Sequence, residues 1–87
     1  MARIEHLPKT EQWVHAKETK LAEQDGKCAL CGEPLTEVSA CLDHDHYTGK
    51  LRGVICRRCN VGIGFFKDSE ELLMRAIEYI REYKDEV

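Results

Sequence analysis

The sequence predicts an α+β fold in which two short strands and a short helix form the centre and a longer helix lies on either side. Three observations predict it. Residues 9 to 24 and 69 to 84 carry apolar residues at helical spacing. Residues 40 to 56 read as two short strands parted by Thr48-Gly49. Two C-x-x-C pairs bracket that stretch, a staple suited to a chain of 87 residues, which buries only a modest core. The length argues for a single domain over 1–87, with its motif-bearing centre at about 27–66.

The first helix is expected over 9 to 24, with Trp13, Val14 and Leu21 as a sparse apolar face and Thr10 as its N-cap. Asp25-Gly26 stops it. The strands are expected over Ala40 to Tyr47 and Lys50 to Cys56, joined by a tight turn at Thr48-Gly49. From Arg57 the pattern turns helical and carries Cys59 and Asn60; Gly62 and Gly64 weaken that helix. The last helix, 69 to 84, is the strongest prediction. Leu72, Leu73, Ala76, Ile77, Ile80 and Tyr83 fall on one side, a stripe that belongs in a core or a partner-helix seam. Asp68 followed by Glu71 resembles a capping box, and Glu70 and Glu71 suit the positive end of the helix dipole.

Met1 to Thr10 are mixed and polar, and no apolar run approaches membrane-spanning length, so a cytosolic chain without a membrane partner is expected. There, thiolates bind metal more readily than they form disulfides. Cys28-Ala29-Leu30-Cys31 and Cys56-Arg57-Arg58-Cys59 have the spacing that converges sulfurs on one tetrahedral ion at about 2.3 Å. Four cysteines close the coordination shell and leave no position for water, so the expected ion is a structural Zn²⁺. The intervening residues, 32 to 55, leave room for a hairpin. Cys41 is left over and is expected to be a buried thiol.

Within that hairpin, Leu42-Asp43-His44-Asp45-His46 sets four metal- or proton-competent side chains in succession. Alone, the run reads as a polar strand, a transition-metal site or a hydrolytic centre. Its place between the cysteine pairs, the turn after it, and Asn60 directly behind the last cysteine favour the hydrolytic centre. A neutral imidazole takes a proton from water at neutral pH, and Asp and Asn oxygens suit Mg²⁺.

Taken together, the two cysteine pairs, the Asp-His-Asp-His run, Thr48-Gly49-Lys50-Leu51-Arg52-Gly53 and Asn60 resemble the recombination endonuclease VII family, one of the His-Me finger (HNH-like, ββα-metal) nucleases. The likeness covers roughly residues 20 to 66. It implies a DNA endonuclease that leaves 5′-phosphate and 3′-hydroxyl ends. His44 would be the general base, Asp43 and Asn60 would hold a catalytic Mg²⁺ or Mn²⁺, and His46 would assist at the phosphate. Asp45 would orient an imidazole or the fold. The four paired cysteines match the family's zinc ligands. The likeness also makes a phage origin, and work inside a bacterial or phage-infected cell, the expectation. Junction-resolving members carry a carboxylate three places after the asparagine; here that place is Ile63, so junction resolution is not implied.

Ideal strand alternation sends Asp43 and His44 to opposite faces, so a departure from regular strand is expected there. The net charge is −3, yet Lys50, Arg52, Arg57 and Arg58 lie in a stretch without an acid. Phosphate-backbone contact and a solvated surface strip both remain open for them. Partners expected are DNA and a second copy of the chain through the terminal helices. The competing reading is a non-catalytic zinc module that binds nucleic acid or protein; a weaker one is metal sensing or storage by the Asp/His run.

Overall fold

Helix α1 (Lys9–Glu23), strands β1 (Ala40–His44) and β2 (Leu51–Cys56), and helices α2 (Arg57–Phe65) and α3 (Glu70–Glu82) follow one another along residues 9–84, the part of the chain this computed structural model describes. The α+β class and the order of elements agree with the sequence expectation. Several details differ, each for a local reason.

Half-buried residues on α1 recur at Trp13, Ala16, Lys17, Lys20 and Leu21, the helical spacing of one face, and this helix packs against both strands. Val14 lies off that face and is exposed, and Thr10 lies within the helix instead of capping it. The stop is at Asp25-Gly26 as expected. Both have left-handed φ (55° and 71°), and the Gly26 N–H donates to the Leu21 carbonyl at 2.9 Å.

Gln24 ties this helix end to the sheet. Its Nε2 donates to the carbonyls of Val54 (2.7 Å) and Lys27 (2.8 Å), and its Oε1 accepts from the Val54 N–H (2.9 Å). The side-chain amide thus completes the hydrogen bonding of Val54, which is fully buried. Gly53 allows the approach, since a Cβ there would sit 3.2 Å from Gln24 Oε1. Gln24→Ala is expected to destabilise the zinc-loaded protein by about 2–3 kcal/mol, because it strands buried backbone groups. Gln24→Glu should lose a comparable amount despite its equal shape, because a carboxylate cannot donate to the two carbonyls. Urea unfolding of the variants measures both, and a midpoint unchanged from wild type would show that the amide is dispensable.

The strands pair antiparallel, Ala40 with Cys56, Cys41 with Ile55 and Leu42 with Val54; the register then shifts and His44 pairs with Leu51. Asp43 therefore stands opposite both Arg52 and Gly53, a β-bulge with its extra residue on β2. The expected departure from regular strand occurs here. The hairpin ends earlier than the sequence suggested. β1 stops at His44, and a longer loop replaces the tight turn because Asp45 builds it. Its Oδ1 accepts from the N–H groups of Tyr47 (2.7 Å) and Thr48 (3.0 Å), while its backbone N–H donates to the Lys50 carbonyl.

α2 starts at once where β2 ends, with Cys56 as N-cap, and runs through Gly62 and Gly64 to Phe65. The expected weakness at these glycines does not end it. Its first turn is held by two cysteines, and Ile63 packs on the core. That core is small: Cys28, Ile55 and Cys56 are buried together, with Leu35, Cys59 and Ile63 against them. Cys41, expected to be buried, is half-buried, and its Sγ lies 3.9 Å from the Ser39 carbonyl.

The α2–α3 junction turns through Lys67 and Asp68, both in left-handed φ (56° and 55°). The cap of α3 is Ser69, not Asp68. Its Oγ accepts from the Leu72 N–H at 3.1 Å, and Glu71 pairs with Arg75 instead of closing a capping box. No residue of α3 is buried. Its apolar stripe, expected in a core or a seam, is left uncovered by the rest of the described chain; Ile77, Ile80 and Tyr83 are all exposed.

Candidate active site and metal centre

The two C-x-x-C pairs converge. The sulfurs of Cys28, Cys31, Cys56 and Cys59 all lie within 4.8 Å of one another, and this is the one such group of His, Cys, Asp or Glu ligands among the described residues. A tetrahedral ion with bonds of about 2.3 Å sets sulfurs about 3.8 Å apart, and Cys31 Sγ and Cys56 Sγ are 3.8 Å apart. The backbone around them is shaped for thiolate. The N–H groups of Leu30 and Cys31 (both 3.4 Å) and of Cys56 (3.3 Å) donate to Cys28 Sγ, and the Cys59 N–H donates to Cys56 Sγ at 3.4 Å. Burial opposes ionisation of Cys28, but the donors at Cys31, Cys56 and Leu30 outweigh it and bring its thiol down to about 6. Burial pushes the Cys59 thiol up to about 12, reinforced by its hydrogen bonds with the neighbouring sulfurs. The four cysteines can hold a metal ion such as zinc.

Cys56 has three duties at once. It ends β2, it offers a sulfur to the cluster, and that sulfur caps α2. Closing the cluster therefore fixes α2, and with it Asn60, against the hairpin. Asn60 is exposed, directly after Cys59 within α2.

A second group of side chains lies along the hairpin. Asp43 is buried, and Arg52 grips it with two hydrogen bonds, Nε to Oδ2 at 2.6 Å and Nη2 to Oδ1 at 3.0 Å. The bulge places Arg52 opposite Asp43. The same Nη2 reaches Asp68 Oδ2 at 3.3 Å, and His46 Nε2 lies 3.8 Å from that oxygen. The hydrogen bond to Asp43 is the main cause that keeps the Arg52 guanidinium firmly protonated, with the charge of Asp68 adding to it. The His44 ring is half-buried between Trp13 (5.6 Å between centroids) and His46 (5.2 Å). Contacts thus run unbroken from Trp13 through His44, His46, Asp68 and Arg52 to Asp43.

Of the residues singled out from the sequence, the structure brings Asp43, His44 and His46 into this chain of contacts. Asp45 shapes the loop, and the N–H groups of Thr48 and then Tyr47 hold its carboxyl below the usual value. Arg52 is engaged internally. Lys50 and Arg57 are exposed, and Arg58 makes an exposed ion pair with Glu33 at 3.2 Å. Three contributors escaped the sequence reading. Trp13 was legible only as part of an apolar face, and Gln24 not at all. Asp68 looked like a helix cap; the adjacent Ser69, an equally good cap, was the one signal that Asp68 could serve elsewhere.

A bulged ββα unit clamped by four thiols, with an Asp-His pair on its first strand, has the form of a small metal-dependent nuclease domain. The chain matches the recombination endonuclease VII family over residues 4–82, and it belongs to that family. It is 42% identical over 60 residues to the Gene 59 protein of Mycobacterium phage D29, an alignment covering 67% of this chain and 36% of the relative. It is 39% identical over 59 residues to the Gene 59 protein of Mycobacterium phage L5, covering 66% and 36%. The chain thus spans about a third of the length of these curated relatives. Among the described residues, no helix is long and apolar enough to cross a membrane.

Proposed function

We propose that this chain is a His-Me finger DNA endonuclease that hydrolyses phosphodiesters with His44 as general base and one Mg²⁺ or Mn²⁺ ion, working in a phage-infected cell. The observation that carries the reading is the bulge at Asp43. It brings a buried carboxylate and a half-buried imidazole, neighbours in sequence, into one cluster on a hairpin whose base is held by the cysteines.

The donor set fits a hard cation. Each Asp43 oxygen has a lone pair beyond the one given to Arg52, and the Asn60 amide oxygen is exposed. When bound, such an ion polarises the scissile phosphate and stabilises the leaving 3′-oxygen. His44 takes the proton of the attacking water, and Trp13 and His46 on either side limit the ring's freedom. Water's oxygen stays on phosphorus as the 5′-phosphate, and the 3′-oxygen leaves as hydroxyl. His46 contacts phosphate at the same centre. The tetrathiolate site keeps a structural role, because four sulfurs leave no open position.

Lys50, Arg57 and Arg58 contact the DNA backbone in this reading. The ion pair of Arg58 with Glu33 is exposed at both ends, so it offers little resistance to a phosphate. Supercoiled, linear, branched and single-stranded DNA, each incubated with Mg²⁺, Mn²⁺ or EDTA, tests the activity. Metal-dependent ends carrying 5′-phosphate are expected. No cutting of any substrate with either ion leaves the zinc-module reading in its place.

A further inference from the structure

We infer that Asp68 is a positioning residue for the Asp43 carboxylate, acting through Arg52; this rests on the reading that Asp43 holds a divalent cation. One guanidinium is shared by two carboxylates. Asp43 is 9% exposed and the Asp68 side chain 7%, so neither is freely solvated. Two such acids against one arginine leave the cluster short of one positive charge, which favours a second cation there.

The sharing is uneven in an informative way. Arg52 Nε binds Asp43 Oδ2 tightly, at 2.6 Å. Nη2 is divided between Asp43 Oδ1 at 3.0 Å and Asp68 Oδ2 at 3.3 Å. Oδ1 is therefore the oxygen that Arg52 can release. Without Asp68, ceding it to a cation would leave Nη2 without an acceptor beside a buried carboxylate, a costly state. With Asp68, Nη2 moves onto a second acceptor already within reach. The Asp43–Arg52 pair also lines an open cleft of about 280 Å³, so an ion reaches it without unfolding the hairpin. The junction is built for this contact. Lys67 and Asp68 both hold left-handed backbone, and Ser69 takes the cap, which frees the Asp68 carboxylate for Arg52.

The test is Mn²⁺ binding to the zinc-loaded protein without DNA, read from the electron paramagnetic resonance signal of free Mn²⁺. Asp43→Asn is expected to abolish binding. Asp68→Asn is expected to weaken it about 5- to 10-fold, and Arg52→Gln to leave it at least as tight as wild type. In the Arg52→Gln background, Asp68→Asn is expected to cost less than about 2-fold, the non-additivity of residues acting as a unit. Asn tolerates left-handed φ, so the backbone of the turn is retained. Zinc content and circular dichroism check this, and Asp68→Gly replaces it if it does not fold. Binding by Asp43→Asn equal to wild type defeats the reading of Asp43 itself. Loss in Asp43→Asn with wild-type affinity in Asp68→Asn overturns the role of Asp68 alone. An equal loss from Asp68→Asn in both backgrounds overturns it too, because Asp68 would then act only as a nearby charge.

Discussion

His44→Ala is expected to lower DNA cleavage by about 10²- to 10⁴-fold, the usual contribution of a positioned general base, while leaving zinc content and helix content at wild-type values. The reason for the separation is structural. His44 ends β1, and its ring touches Trp13 and His46, but it belongs neither to the buried core nor to the cysteine cluster. Removing the imidazole takes away the group proposed to accept the water proton and leaves every cysteine and the Gln24 bridge in place. Added imidazole should restore part of the lost rate to His44→Ala, because the cavity left by the ring admits the free base. The measurement is nicking of supercoiled plasmid with Mn²⁺, with zinc analysis on the same preparation. Cleavage at the wild-type rate by His44→Ala would remove the general base from the mechanism.

Cys56→Ser is expected to unfold the hairpin and α2. Serine is itself a good N-cap, so the helix cap survives the substitution and only the sulfur ligand is lost. The buried apolar residues are Cys28, Ala40, Val54, Ile55 and Cys56. Two of these five are themselves proposed metal ligands, and the remainder cannot offset the ordering of the chain. Structural zinc in small domains supplies on the order of 10 kcal/mol at neutral pH, more than such a core. Chelation of the wild-type chain should have the same effect. Circular dichroism and amide spectra before and after EDTA test both, with residual helix confined to α3. An unchanged amide spectrum after quantitative removal of zinc would show that the metal does not hold the fold.

What could be read from the sequence, and what could not, divides by the range of the interactions. The C-x-x-C pairs are local patterns, and their convergence follows from ligand geometry that any four thiols must satisfy. Asp25-Gly26 stops α1 where it was expected to, because left-handed backbone is a property of the residues themselves. The bulge at Asp43 was anticipated from strand alternation alone. By contrast, both cap assignments failed at neighbouring residues. Thr10 lies inside α1 and Ser69 displaces Asp68, since several adjacent polar residues can cap and only the surrounding packing selects among them. The alternation up to Tyr47 suggested a longer β1, but the bonds of Asp45 to its own loop end the strand earlier.

Sequence alone determined the class of fold, the cysteine set that can bind metal and the Asp-His pair on the first strand, because short-range periodicity and ligand spacing carry that information. Tertiary structure decided the partners. It placed Arg52 on Asp43 and Asp68 where phosphate contact had been expected, set Trp13 against His44, and left the α3 stripe uncovered. These contacts join residues far apart in the chain, and their pairing depends on how helices and hairpin pack, which no local pattern encodes.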